Sequence, residues 1–364
     1  MRISIVAGAR PNFMKIAPLL HAIEHYQGEG HNLTKRLIYT GSDDDKVLGD
    51  ELFDDLQIQR PDICLNVCCT NQNERAAAIM TAFEKELRQN PADIVMVVDD
   101  LTPTMACAIV AKKMDVKVAH LIAGTRSFDM TKPKEVNSMV TDGLSDLLFT
   151  AGYGANSNLN RSGASLGNTY MVGNILMDTV RENWDRLMQP AIFKEARLDE
   201  AGYVLMTANR AMLINDKDRF NAIITKTCNA IKPCRLVAPL HDFARNAIDP
   251  QTIKACPNLV VAQPMRCLEF WYLEKKAKGI ITDSGNIAEE ATFIGVPCIT
   301  MNNFVEHRET VTIGTNELAG ENPDLIADMA KRIIDGKWKS CGIPERWDGR
   351  TAMRIIQTLI NLDI

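Results

Sequence analysis

Two turns in this chain set charged or hydroxyl side chains beside the start of a helix, an arrangement suited to holding an anion. In Ala7-Gly8-Ala9-Arg10-Pro11 an apolar strand ends and a helical pattern begins. Gly8 permits a tight turn, the helix start brings unpaired N–H groups, and Arg10 adds a forked cation, which together suit a diphosphate. In Thr282-Asp283-Ser284-Gly285-Asn286, Ser284 and Gly285 bring a hydroxyl and backbone N–H groups to the start of another helix. About one turn further along, Glu290 carries the two acceptor oxygens that a ribose diol needs. Phe270, upstream, has a flat face on which a uracil ring could stack. Each residue also has an ordinary alternative: local capping for Arg10, core packing for Phe270, a solvated helix face for Glu290.

The elements that must position these residues alternate. Short β-branched runs at 2–7, 37–40, 93–98, 117–122, 147–150 and 169–172 read as strands. The stripe Phe13, Ile16, Leu19, Leu20 and Ile23 reads as a helix, and further helices are expected at 74–88, 104–114 and 135–145. Near Val172–Asn174 the pattern pauses, and a long helix is expected to carry the chain into a second unit. There strands are expected at 203–207, 235–238, 259–262, 279–282 and 298–301, with helices at 216–231, 268–277 and 287–294. Apolar strands separated by helices imply parallel sheets covered on both faces. The fold class expected is therefore α/β, with two Rossmann-like, doubly wound domains facing a cleft at the carboxyl ends of their strands. Their ranges are 1–173 and 174–345, with residues 346–364 as a terminal helix crossing back to the first domain.

Composition narrows the partners. A chain of 364 residues exceeds one ordinary α/β core, and 46% hydrophobic with 24% charged residues is globular usage. A net charge of −5 argues against nucleic acid, since no excess of Lys and Arg is present to neutralise phosphates broadly. No run approaches the roughly 18 apolar residues of a membrane span, and the N-terminal strand lacks a signal peptide's h-region and cleavage site. The ten cysteines are scattered, several in apolar runs, without paired CxxC spacing. Buried reduced thiols and a cytoplasmic location are the expectation, and no metal site is expected.

Taken in order, the motifs become specific. The chain resembles the non-hydrolysing UDP-N-acetylglucosamine 2-epimerase family from end to end. The matching stretches are GARPNFMKIAPL at 8–19, the Asp100 turn, AGTRSFD at 123–129, VGN at 172–174, TANR at 207–210, PLH at 239–241, TDSGNIAEEA at 282–291 and GTN at 314–316. The resemblance implies a glycosyltransferase-B-like arrangement, no NAD or metal cofactor, a UDP-N-acetylhexosamine ligand and a homodimer. It implies UDP-sugar contacts at Arg10, Arg210, His241, Phe270, Ser284, Gly285 and Glu290, and catalytic roles for Asp100 and Glu135. The family's reaction removes the sugar's C2 proton, expels UDP from C1, and reprotonates the glycal from the opposite face. Such work needs acids and bases held at tuned proton affinity.

The departures from the family fall on those acids and bases. Its Glu-Ala-Gly-Leu-Arg reads Ile122-Ala123-Gly124-Thr125-Arg126 here, and its Pro-Glu-Glu-x-Asn reads Pro133-Lys134-Glu135-Val136-Asn137. The His before Arg210 is Asn209, and the acid and Asn that follow are Met212 and Leu213. The Gly-Asp-Thr-Asn-Thr turn reads Asp99-Asp100-Leu101-Thr102-Pro103, so Asp100 is the catalytic acid that aligns unchanged. Smaller changes are Asn286, His307, Cys267 and, at the family's regulatory site, Ser42-Asp43. Losing one acid–base group typically costs ~10²–10⁴-fold in rate. Three readings stay open: a diverged 2-epimerase using Asp100, Glu135 and Lys134; a catalytically lapsed UDP-sugar-binding member acting as a regulator or partner subunit; and a related UDP-sugar hydrolase or transferase.

Overall fold

The computed structural model describes residues 1–46 and 48–362. It divides into one unit formed by Met1–Glu182 with the segment from Glu345 onward, and a second formed by Asn183–Pro344. The first contains seven strands: β1 (Arg2–Ala7), β2 (Thr34–Tyr39), β3 (Ile63–Cys64), β4 (Ile94–Val98), β5 (Lys117–Leu121), β6 (Leu147–Thr150) and β7 (Thr169–Met171). They form one parallel sheet in the order β3-β2-β1-β4-β5-β6-β7.

Alternation along β4 shows why this sheet is covered twice. Ile94, Met96 and Val98 join one apolar layer with Phe13, Ile16, Leu19 and Ile23 of the helix Arg10–Gly28. Val95 and Val97 point the other way, into a layer with Ile79, Phe83 and Leu87 of the helix Gln72–Gln89. A strand buried on both faces cannot alternate with polar residues, hence the run Ile-Val-Met-Val-Val.

The second unit repeats the plan with β8 (Tyr203–Met206), β9 (Arg235–Pro239), β10 (Leu259–Ala262), β11 (Gly279–Thr282), β12 (Cys298–Thr300) and β13 (Asn316–Leu318). Its order is β10-β9-β8-β11-β12-β13, all parallel. Val204 and Met206 pack with Phe220, Ile223 and Ile326 on one face. Tyr203 and Leu205 pack with Leu273, Ala288 and Ala291 on the other.

Several expectations are corrected. The boundary expected after residue 173 falls after Glu182, because the helix Leu176–Glu182 packs on the helix Arg10–Gly28. The single long connecting helix is instead broken into Leu176–Glu182, a 3₁₀ turn at Trp184–Arg186, and Ala191–Glu195. Pro190 stands as the N-cap of the last piece, in an extended conformation that cannot continue a helix. β3, of two residues, is too short to show a period, and β13, Asn316–Leu318, lacks an apolar run.

The helix Thr351–Asn361 returns to the first unit, burying Ile355, Ile356 and Leu359 in the layer around Phe13. Positions 363 and 364 of the expected terminal helix lie outside the described residues. Asp178 Oδ1 accepts the Ala352 N–H at 2.8 Å, so a carboxyl meets the amino end of that helix. Among the described residues, no helix is long and apolar enough to cross a membrane.

Candidate functional site

Each sheet reverses its winding between two neighbouring strands, β1 and β4 in the first unit, β8 and β11 in the second. At such a point the connections leave to opposite faces and open a crevice beyond the strands' carboxyl ends. Arg10 follows β1 and Asp100 follows β4; Arg210 follows β8, and Ser284 and Gly285 follow β11. The residues singled out by sequence therefore bracket both crevices.

In the first unit the turn that leads into the Arg10 helix is held by a side chain of that helix. Asn12 Oδ1 accepts the Gly8 and Ala9 N–H groups at 2.8 and 3.0 Å, so the turn caps itself. Asn12 Nδ2 then donates to Asp99 Oδ2 at 2.7 Å, and the buried Lys15 Nζ pairs with Asp99 Oδ1 at 2.6 Å. Gly8 is required by closeness, since a Cβ there would stand 2.8 Å from Pro103. Arg10, the first residue of the helix, remains exposed.

Beyond β4, Asp100 is held by Asn137, whose Nδ2 donates to the Asp100 carbonyl at 3.0 Å. Its carboxylate meets Lys134 Nζ at 3.3 Å, with side-chain exposures of 18% and 60%. Lys134 is thus a paired cation, although still a largely solvated one. Glu135 is buried instead. Its Oε2 accepts from Ser127 N at 2.6 Å, Ser127 Oγ at 2.8 Å and Phe128 N at 3.2 Å, while Oε1 lies 3.8 Å from Arg126 Nε. Glu135 therefore ties down the loop that follows β5.

Behind that loop runs a buried charge chain that sequence reading missed. Arg126 Nη2 pairs with Asp142 Oδ2 at 2.6 Å, and Asp142 Oδ1 with His120 Nδ1 at 2.6 Å. His120 Nε2 faces the Asp99 carbonyl at 2.8 Å. Both ring nitrogens meet acceptors, so both donate and the ring is an imidazolium. Burial works against that charge, but Asp142, helped by Asp99, outweighs it and holds His120 above its ordinary range. Burial likewise pushes Asp142 up, and His120 with Arg126 overrides it and holds the carboxyl low. The loop starts at Ile122 with φ 66°, a left-handed conformation that a β-branched residue adopts only under constraint.

In the second unit a carboxylate stitches the crevice. Asp283 Oδ2 accepts the Asn209 and Arg210 N–H groups, each at 2.7 Å, joining the turn after β8 to that after β11. Arg210 is aimed by Nη1 donating to the Met301 carbonyl at 3.0 Å and to Asn302 Oδ1, and by Nη2 pairing with Glu321 at 3.1 Å. Asp283 lies inside the stretch 282–291 and Asn302 directly after the expected strand 298–301, yet nothing in their spacing marks them as partners of Arg210.

Ser284 is the N-cap of the helix Gly285–Ile294, its side chain makes no capping hydrogen bond, and no acidic residue lies in the first turn. That leaves a positive helix end beside Arg210. At Gly285 the nearest atom to an added Cβ is Glu306 Oε2 at 3.8 Å, so the backbone is open to close approach. His241 is exposed at the turn after β9, and Phe270 is half-buried on the helix Cys267–Lys276 that follows β10. Glu290 is not on a solvated face: it is buried, and its Oε1 accepts from Trp271 Nε1 at 3.1 Å. His307 is buried too, 3.7 Å from Glu289.

Comparison with known proteins adds a second line of observation. A family model described as UDP-N-acetylglucosamine 2-epimerase matches residues 27–360. A UDP-N-acetylglucosamine 2-epimerase homolog of Methanococcus maripaludis is 32% identical, with 100% of both chains covered. The UDP-2,3-diacetamido-2,3-dideoxy-D-glucuronate 2-epimerase of Pseudomonas aeruginosa is 30% identical over 92% of each chain. Among solved structures, Methanocaldococcus jannaschii UDP-GlcNAc 2-epimerase in complex with UDP-GlcNAc and UDP is 28% identical. It matches with a TM-score of 0.83, covering 99% of this chain and 100% of that one.

Proposed function

The chain belongs to the UDP-N-acetylglucosamine 2-epimerase family, and from that premise we propose that it binds a UDP-N-acetylhexosamine and epimerises it slowly at C2. The observation that carries the binding half is the crevice of the second unit, where Arg210, Ser284 and Gly285 surround one helix start. We assign the diphosphate to Arg210, Ser284, Gly285 and His241, the uracil to Phe270, and the ribose diol to Glu290; by likeness to the family, Arg10 is a further UDP-sugar contact. An anion at a helix N-terminus next to a guanidinium is favoured by both the dipole and charge-assisted hydrogen bonds.

The slowness follows from the sugar-end residues of the first unit. The proton work would fall to Asp100, while Glu135 acts by holding the loop from Ile122 to Phe128. Removing the C2 proton leaves an electron pair that expels UDP from C1, and returning a proton to the opposite face of the glycal completes the exchange. Two faces need two groups, and Ile122 supplies none. A second reading, a UDP-sugar-binding member without turnover, is favoured by the Lys134–Asp100 pair, which sets a cation against the retained acid. We further propose a homodimer, by likeness to the family, and a cytoplasmic location, which suits ten free thiols.

Incubation with UDP-N-acetylglucosamine in deuterated water separates these. Deuterium at C2 with the manno isomer supports epimerisation. Saturable binding without deuterium, isomer or free UDP supports the binding reading, and free UDP alone means hydrolysis or elimination.

A further inference from the structure

Two consecutive carbonyls in the turn after β4 are each gripped by a side chain from another element. His120 Nε2, from β5, faces the Asp99 carbonyl at 2.8 Å, and Asn137 Nδ2, from the helix Pro133–Leu144, donates to the Asp100 carbonyl at 3.0 Å. Peptide units are planar, so restraining the two units that flank Asp100 restrains its φ and ψ and leaves only its side chain to turn. Such a hold has work to do, because Asp99 stands at φ 61°, in the left-handed region that a residue with a Cβ enters at a cost.

The grip of His120 depends on its charge. The ring is fully buried, and its other nitrogen, Nδ1, meets Asp142 Oδ1 at 2.6 Å. A neutral imidazole has one N–H and could serve one of these acceptors, with a lone pair turned against the other. Only the imidazolium serves both. The charged groups around it match: Asp142 and Asp99 are carboxylates, and the cations Arg126 and Lys15 each pair with one of them at 2.6 Å. Glu135 lies on the far side of Arg126, 3.8 Å from its Nε. Asp142 Oδ2 also accepts the Gly124 N–H at 3.2 Å, so one carboxylate joins the ring to the loop that follows β5.

We propose that His120 is the positioning residue that presents Asp100 for proton transfer, and that Asp142 couples this hold to the loop from Ile122 to Phe128. It rests on the proposed assignment of the proton work to Asp100. Burial opposes the ring's charge and Asp142 with Asp99 outweighs it, in agreement with the geometry. A buried ring that never meets the sugar thus governs the turn that carries the acid: once neutral, it must release either the Asp99 carbonyl or Asp142.

Two variants of the whole protein test it. H120Q has its N–H groups on one nitrogen and cannot donate at both ends, and D142N removes the ring's counter-charge. Nitrogen-15 NMR of histidine-labelled wild type should show His120, assigned by its loss in H120Q, with both nitrogens protonated at neutral pH, a state that D142N abolishes. In both variants C2 deuterium incorporation should fall about 10–100-fold in kcat, as a slight misplacement costs. KM and calorimetric UDP affinity should stay within about threefold, as for an independent site. Hydrogen exchange followed by mass spectrometry should rise at residues 99–101 and 122–128 and stay unchanged in the second unit. Should a variant fail to fold, wild type decides alone: corrected for the intrinsic rate, exchange in those two segments should rise in step with loss of the ring proton. A neutral ring at neutral pH, unmoved exchange in the two segments, or an unchanged kcat overturns the positioning role. Wild type without C2 deuterium overturns slow epimerisation, and ring protonation with segment exchange then still decides whether His120 holds Asp100.

Discussion

Lys134 Nζ stands 3.3 Å from Asp100 Oδ1, so a position where the family motif has a carboxylate bears a cation paired to the residue we propose for the proton work. On the proposed function, that contact would tie a sequence departure to a rate. A base already engaged by an ammonium is a poorer acceptor for a carbon-bound proton, and a cation cannot serve as the second carboxylate.

Lys134→Glu should therefore accelerate C2 deuterium incorporation, and the double variant I122E/K134E should do so more. A restored acid–base group is worth on the order of 10²-fold or more. Proton NMR of the sugar region gives the rate, and no change in either variant would place the defect elsewhere.

Removing the guanidinium at Arg210→Ala should weaken UDP binding about 10–100-fold, the usual worth of hydrogen bonds to a charged group. Arg210 also pairs with Glu321, which keeps Arg219 as a partner at 2.8 Å in the variant. Calorimetric titration with UDP, and thermal unfolding to check the fold, decide the matter.

Glu135→Ala leaves Arg126 with one carboxylate and two loop amides without their acceptor. Breaking a buried pair of this kind costs about 3–5 kcal/mol, and denaturant unfolding should report a loss of that order. Glu135→Gln keeps an acceptor oxygen for Ser127 and should cost less.

Stability should depend on pH through Asp178. Burial, only partly offset by hydrogen bonds from Ala352 and Thr351, raises this carboxyl from 3.8 to about 6. A raised acid stabilises the fold below its unfolded value and loses that contribution as pH rises through the folded one. The window thus runs from about pH 4 to 6, and the change is about 3 kcal/mol at most. Asp178→Asn should flatten the curve there. His120, also raised, acts with the same sign above its ordinary range, so the variant should still lose stability at higher pH.

Much of the fold was readable because β4 and its neighbours are apolar on both faces and the Phe13 stripe has helical period. The crevice we propose for the nucleotide was marked in the sequence by turn chemistry and a helix start at Ser284 and Gly285, and Arg210 only by the family resemblance. Long-range pairings were not. Nothing adjacent to Asn12 says that it caps its own turn and reaches Asp99, some ninety positions away, and the chain from His120 through Asp142 to Arg126 closes only in three dimensions. The solvated-face alternative for Glu290 could not be dismissed from sequence because its partner, Trp271, sits on another helix.

On the proposed function, the second unit grips a uridine diphosphate. Isothermal titration of the whole protein with UDP addresses that directly: saturable binding at one site per chain, sharply weakened in R210A, is the expected result. Flat heats across the titration, with the protein shown to be folded, would contradict it.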